Sequence, residues 1–185
     1  MDASGSGATY INTHNHGDES CACVHPGCGF AATPLALVRH FNSSHSMPIT
    51  KVNYGKVFEL NVLALLDPPY LLLADDDSRA FLLVGGVHGL GAVVSMVCIR
   101  SPDSLWPRYR ASIGSHTPHD KAWKGDSMMA DMEVASSTCP GDIEVEDLTY
   151  LELPPKMLVH VGGDKMMPLK ICIEKITTDA CPIDQ

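Results

Sequence analysis

Hydrophobic positions change their period once along this chain, and the change marks its organisation. Near the start, Leu35, Val38 and Phe41 recur at helical spacing. Thr33 and Pro34 stand just before them, an N-cap type followed by the residue best tolerated at the first helical position. The spacing predicts a helix from about Pro34 onward. Met47-Pro48-Ile49 reads as a short link, where the proline stops the helix. From Lys51 the period becomes two. Phe58, Leu60 and Val62 alternate with Glu59 and Asn61, and Leu169, Ile171 and Ile173 alternate with Lys170, Cys172 and Glu174. Tyr70 to Ala74 and Ala80 to Val84 are apolar runs joined by Asp75-Asp76-Asp77-Ser78, the signature of a hairpin. Ala92 to Ile99 is apolar at successive positions, so both of its faces must be covered, as in a central strand. The pattern gives one helix and seven or eight strands, a mostly β chain built as an antiparallel sandwich.

The helical segment carries the candidate chemistry. Cys21 and Cys28 have six residues between them, Cys28 and His40 eleven, and His40 and His45 four. Two thiolates and two imidazoles in this order suit one Zn²⁺ in a closed tetrahedron. Gly27 and Gly29 flank Cys28 and permit a tight turn, while the helix would carry His40 and His45 toward the cysteine loop. Cys23 is a fifth candidate. It shortens the cysteine loop to four residues and is expected to stay outside the tetrahedron. Residues 21–46 are thus expected to form a zinc finger stabilised by its own metal, being too small to fold on apolar burial alone.

Composition narrows the picture. At 185 residues and 45 % hydrophobic, the chain has material for one core plus the small metal-stapled unit, and with 6 % aromatics that core must be aliphatic. Seven cysteines without a paired framework or a signal peptide favour a reducing compartment. No apolar run reaches the ~18 residues of a membrane span. A net charge of −9 argues against a nucleic-acid partner. A DNA-reading finger, the least favoured alternative, would need polar or basic residues at the helix start, where Pro34-Leu-Ala-Leu-Val-Arg39 stands instead.

The run Cys21-Ala-Cys23-Val-His-Pro-Gly-Cys28-Gly-Phe30, with Leu37 to His40 and His45, resembles the second zinc finger of the seven-in-absentia (SINA/SIAH) ubiquitin ligases, closest to the plant SINA-like branch. Later stretches resemble the same family's C-terminal domain: Val52-Asn-Tyr-Gly-Lys-Val57, Ala92 to Arg100, Pro107-Arg-Tyr-Arg110, Asp131-Met-Glu-Val134, Val145 to Leu151 and Leu153 to Val159. The resemblance covers about residues 20–177. It implies a TRAF-like β-sandwich over 51–177 that binds a protein substrate peptide and forms homodimers, or heterodimers with related ligases, in the cytoplasm and nucleus. Residues 1–20, rich in Ser, Gly and Asn, are expected to be disordered, and 178–185 to be a tail. The family's RING and first finger have no counterpart, since residues 1–20 hold no cysteine. The resemblance therefore implies the substrate-recognition and dimerisation part of a ubiquitin ligase, inactive alone in ubiquitin transfer. A RING-less member acting as a non-catalytic regulator or adaptor is the alternative.

Other clusters read as structural. Asp75, Asp76 and Asp77 form a solvated turn without the glycine-centred loop of a calcium site. His116, His119 and Asp120 fall in a polar loop. Gly85-Gly86 and Gly89-x-Gly91 lack the Lys-Ser/Thr of a phosphate loop and read as a strand connection. Cys98 and Cys172 sit in strand-like runs as core thiols, and neither they nor Cys139 has a local partner set for nucleophilic catalysis. For dimerisation, the strand from Leu169 to Ile176, Met157-Leu-Val159 and Met166-Met167 are the expected apolar surface.

Overall fold

A computed structural model describes residues 20–104, 106–117 and 126–177. The expectations for residues 1–19, for His119 and Asp120, and for 178–185 lie outside the described residues. The chain runs through β1 (Cys21–Ala22), β2 (Ala31–Ala32), α1 (Pro34–His45), β3 (Ile49–Val52), β4 (Phe58–Leu63), β5 (Tyr70–Ala74), β6 (Ala80–His88) and β7 (Gly91–Ile99). It continues through β8 (Arg108–His116), β9 (Ser127–Glu133), β10 (Ala135–Ser137), β11 (Leu151–Leu153), β12 (Val159–Val161) and β13 (Asp164–Ile176).

The strands after α1 form two sheets. One runs β10-β7-β6-β5-β3, with β11 also paired to β7. The other runs β12-β13-β8-β9, with β4 also paired to β13. Seven of these strands have five residues or more, and β3 with four makes eight. The three-residue strands β10, β11 and β12 are too short to leave a periodic trace in sequence. Pairing is antiparallel except for two short parallel ladders, β3 with β5 and β10 with β7.

Alternation decides which side chains meet. Leu72, Ala74, Phe81, Leu83, Val94 and Met96 of the first sheet share one core with Val62, Tyr109, Ile113, Leu169, Ile171 and Ile173 of the second. The intervening residues Leu71, Leu82, Val84, Val97 and Ile99 emerge on the far face of the first sheet, where Leu37, Val38 and Phe41 of α1 cover them. Strand β7 is accordingly buried at all nine positions, as its unbroken apolar sequence requires.

The hairpin β5–β6 forms across the aspartate turn, with Ser78 at φ 54°. Asp75 pairs with Lys51 at 3.2 Å, and Asp77 takes Lys175 Nζ at 2.5 Å and the Tyr54 hydroxyl at 2.9 Å. These acids tie the turn to β3 and β13. Burial pushes the Asp77 carboxyl upward, but Lys175, Tyr54 and the Arg79 amide outweigh it and hold it below its ordinary range.

Two expectations need correction. The finger is not self-contained in its packing: α1 and Cys21 share an apolar cluster with the first sheet, and Met47 of the link is buried in it. The segments expected to form a dimer surface are largely interior. Met157, Met167, Leu169, Ile171 and Ile173 are all within 1 % of full burial and fill the inter-sheet core.

Candidate metal centre

The site is built by a short hairpin and the last turns of a helix. Strands β1 and β2 pair Cys21 with Ala32 and Ala22 with Ala31, and the Cys23 amide donates to the Phe30 carbonyl at 2.9 Å. Between them the chain reverses in a knuckle. The Cys28 amide donates to the His25 carbonyl at 3.0 Å, and Gly27 takes φ 76°, a conformation that glycine adopts without strain. Thr33 and Pro34 start α1 as read from sequence, although the Thr33 side chain makes no capping bond. The helix ends at Ser46 in the left-handed conformation. His40 and His45 therefore stand in the last turns, facing the knuckle.

Four ligand atoms converge there, from Cys23, Cys28, His40 and His45, all within 4.8 Å of one another. Cys23 Sγ lies 3.4 Å from His45 Nε2, Cys28 Sγ lies 3.3 Å from His40 Nε2, and the two Nε2 atoms are 3.0 Å apart. Around a tetrahedral zinc, with its usual bond lengths, such edges measure about 3.3–3.6 Å. The donor set fits a metal ion.

Three of the four ligands expected from sequence are here. The fourth is corrected: Cys23 takes the place assigned to Cys21. Cys21 lies on β1, fully buried in the apolar cluster with Leu37 and Phe41, so its thiol is spent on packing. Cys23 follows the strand, at the start of the knuckle, where the reversal presents its thiol to Cys28. The signal was present in the sequence. Four residues between cysteines, eleven to the first histidine and four between histidines match the usual two-cysteine, two-histidine spacing, and six between cysteines exceeds it.

Two aromatic residues that spacing did not identify fix the imidazoles. His25 stacks on His45 with centroids 4.1 Å apart, and Phe30 stacks on His40 at 3.9 Å. Burial, then the neighbouring His25 and His40, push the His45 imidazole below its ordinary range, toward the neutral form a metal requires. Burial raises the Cys23 thiol; the His25 amide, 3.4 Å from its sulfur, opposes this, and Cys28 adds to it.

The finger is joined to the sandwich by more than its helix. The Ala22 amide donates to the Thr138 carbonyl at 2.7 Å, and Val24 packs so close to Gly141 that a Cβ there would meet its Cα at 3.2 Å. The six cysteines among the described residues form no disulfide. Cys98 is a core thiol, pushed up to about 12 by burial. No helix among the described residues is long and apolar enough to cross a membrane. No known family model matches the chain, and no curated protein matches it.

Proposed function

We propose that this chain is a protein-binding module stapled by one structural Zn²⁺, held by Cys23, Cys28, His40 and His45, and that it serves as the substrate-recognition and dimerisation part of a SINA-type ubiquitin ligase. The observation that carries the first half is the convergence of four protein ligands. Four such donors complete a tetrahedron and leave no position for an activated water, so the metal's work is structural. Reading the partner as a protein rests on the sheet edges. Among the described residues β9 has a strand neighbour on one side alone in the second sheet, and Met128 and Met129 stand exposed along it. Such an edge offers backbone groups to an added strand and side-chain pockets for selectivity. The ligase context and the dimer rest on the sequence resemblance.

Purified chain at micromolar concentration tests both halves. The expected outcome is one zinc per chain and a scattering mass twice the 19.9 kDa of the monomer. In a reconstituted reaction the chain alone is expected to form no polyubiquitin, and fusion to a RING from a SINA-type ligase is expected to restore transfer to a bound substrate. A zinc-free folded chain would refute the staple. A concentration-independent monomer would refute dimerisation. Polyubiquitin formed by the chain alone would refute its role as a recognition part.

A further inference from the structure

A cleft of about 630 Å³ opens along the β10 side of the first sheet, between the end of β7, the start of β8 and the β9–β10 bend. Its distinguishing feature is Arg100, 4 % exposed, at the end of β7. Its Nε donates to Ser136 Oγ at 2.8 Å, its Nη1 donates to the Pro107 carbonyl at 2.6 Å, and the guanidinium lies 5.2 Å from the centre of the Tyr109 ring. All of these partners are neutral. Among the described residues no carboxylate is within ion-pair distance of it. The neighbouring Arg108 differs: its guanidinium is engaged by both oxygens of Glu133. Behind Arg100, burial keeps both the Cys98 thiol and the Tyr109 phenol protonated, so neither supplies the missing negative charge.

A buried guanidinium without a counter-ion is costly, and a carboxylate in fork geometry is its best complement. The rest of the cleft narrows the choice. Met96, Trp106 and Leu148 give it apolar walls, with Trp106 39 % exposed at the rim. Asp147 also lines it, as does Glu133 in its pair with Arg108, so a single carboxylate is opposed less there than a phosphate dianion or a polyanion. A small free acid would leave the apolar walls wet. Strand pairing is interrupted beside the cleft: among the described residues β11 covers Ala92 to Val94 of β7 and β10 covers Val97 to Ile99, with Ser95 and Met96, both buried, between them.

From this geometry we infer that the cleft binds a short protein segment by placing one aspartate or glutamate carboxylate on Arg100 and an adjacent apolar side chain against Trp106. This rests on the reading of the chain as a protein-binding module and names one class of ligand for it.

The test uses zinc-loaded, isotope-labelled full chain. Three probes are titrated: the blocked peptide Ala-Val-Glu-Leu-Ala, its Gln counterpart and free glutarate. The expected result is saturable shift changes at Arg100, Trp106 and Ser136, with the Glu peptide at least roughly tenfold tighter than the Gln peptide and weakening as salt rises. Arg100→Gln should abolish that preference. Since this change disturbs a buried group, Trp106→Ala at the rim gives a second reading, expected to weaken the Glu peptide several-fold in a chain that folds normally. Equal binding of the Glu and Gln peptides, or no saturation by about 5 mM, would overturn the site. So would glutarate as tight as the peptide, which would make the cleft a small-acid site. Peptide shifts confined to another edge, such as β9, would overturn this site while leaving the protein-binding reading intact.

Discussion

The six-stranded sheet has an apolar layer on each face, and the two are held by different means. On the inner face, the opposing five-stranded sheet covers the layer, with Phe81, Tyr109, Ile113 and Ile171 interlocked between strands that are themselves hydrogen-bonded. On the outer face, Leu71, Leu82, Val97 and Ile99 are covered by one twelve-residue helix, a pair of two-residue strands and the Met47 link. The first cover holds itself by area. The second is too thin for that: a helix of this length is marginal alone, and two-residue strands add little. The four donors Cys23, Cys28, His40 and His45 could hold a metal ion that grips both the knuckle and the end of the helix and would close the difference. The Cys/His unit is a third layer of the sandwich, and a metal held by its four donors would make metal binding and burial of the sheet's second face one event.

The largest effect expected from this contrast is loss of the metal. Cys23→Ser should reduce bound zinc from one per chain toward none and uncover the outer layer, as apparent zinc-finger binding free energies of roughly 10 kcal/mol suggest. Hydrogen exchange should then show protection lost in residues 21–47 and lowered along the outer-facing positions of β6 and β7. Retained slow exchange in β8 and β13 is expected, because the inner layer does not depend on the finger. Uniform loss across both sheets would show that the two layers unfold as one.

Next comes Phe81→Ala in the inner layer. A fully buried phenylalanine truncated to alanine costs about 3–5 kcal/mol. Urea denaturation should show this loss with zinc stoichiometry unchanged, the reverse of the Cys23 variant.

A smaller effect separates the two neighbouring cysteines. Cys21→Ser places a hydroxyl at a position with no exposure and should cost about 1–3 kcal/mol while one zinc remains bound. Zinc loss in this variant, with retention in Cys23→Ser, would return the ligand role to Cys21.

The smallest effect lies at the aspartate turn. Asp77 has its carboxyl held down by Lys175, Tyr54 and the Arg79 amide against burial that pushes it up. A carboxyl whose folded value lies below its unfolded one stabilises the fold above an unfolded pKa of about 4, and that contribution is lost as pH falls through the folded value. Asp77→Asn should therefore lower the melting temperature at pH 7, by an amount that shrinks below pH ~4. A pH-independent difference would show that the charge is not the cause.

Much of this was legible in the chain itself. Period two fixed the inward faces of β4 and β13, the unbroken run from Ala92 to Ile99 announced a strand covered on both sides, and Thr33-Pro34 marked the helix start. These are local properties: a side chain's direction follows from its neighbours in sequence. The histidines and Cys28 were legible for a related reason: they lie within eighteen residues of one another, on one turn and the helix that follows it. Three things were settled by tertiary structure, the first of them with spacing already favouring Cys23. Choosing between Cys21 and Cys23 depends on which thiol the sheet buries, a matter of residues such as Val97 and Ile99 far along the chain. The apolar face of β13 reads equally well as a dimer surface or a core, until β4, β8 and the opposing sheet are folded onto it. Arg100 closes an apolar run as any exposed strand-end arginine would, and its burial against Tyr109, Pro107 and Ser136 is set by segments that only folding brings together. Periodicity reports what a residue's neighbours in sequence make of it, whereas the partner across a sheet or cleft is fixed by chain contacts that carry no local trace.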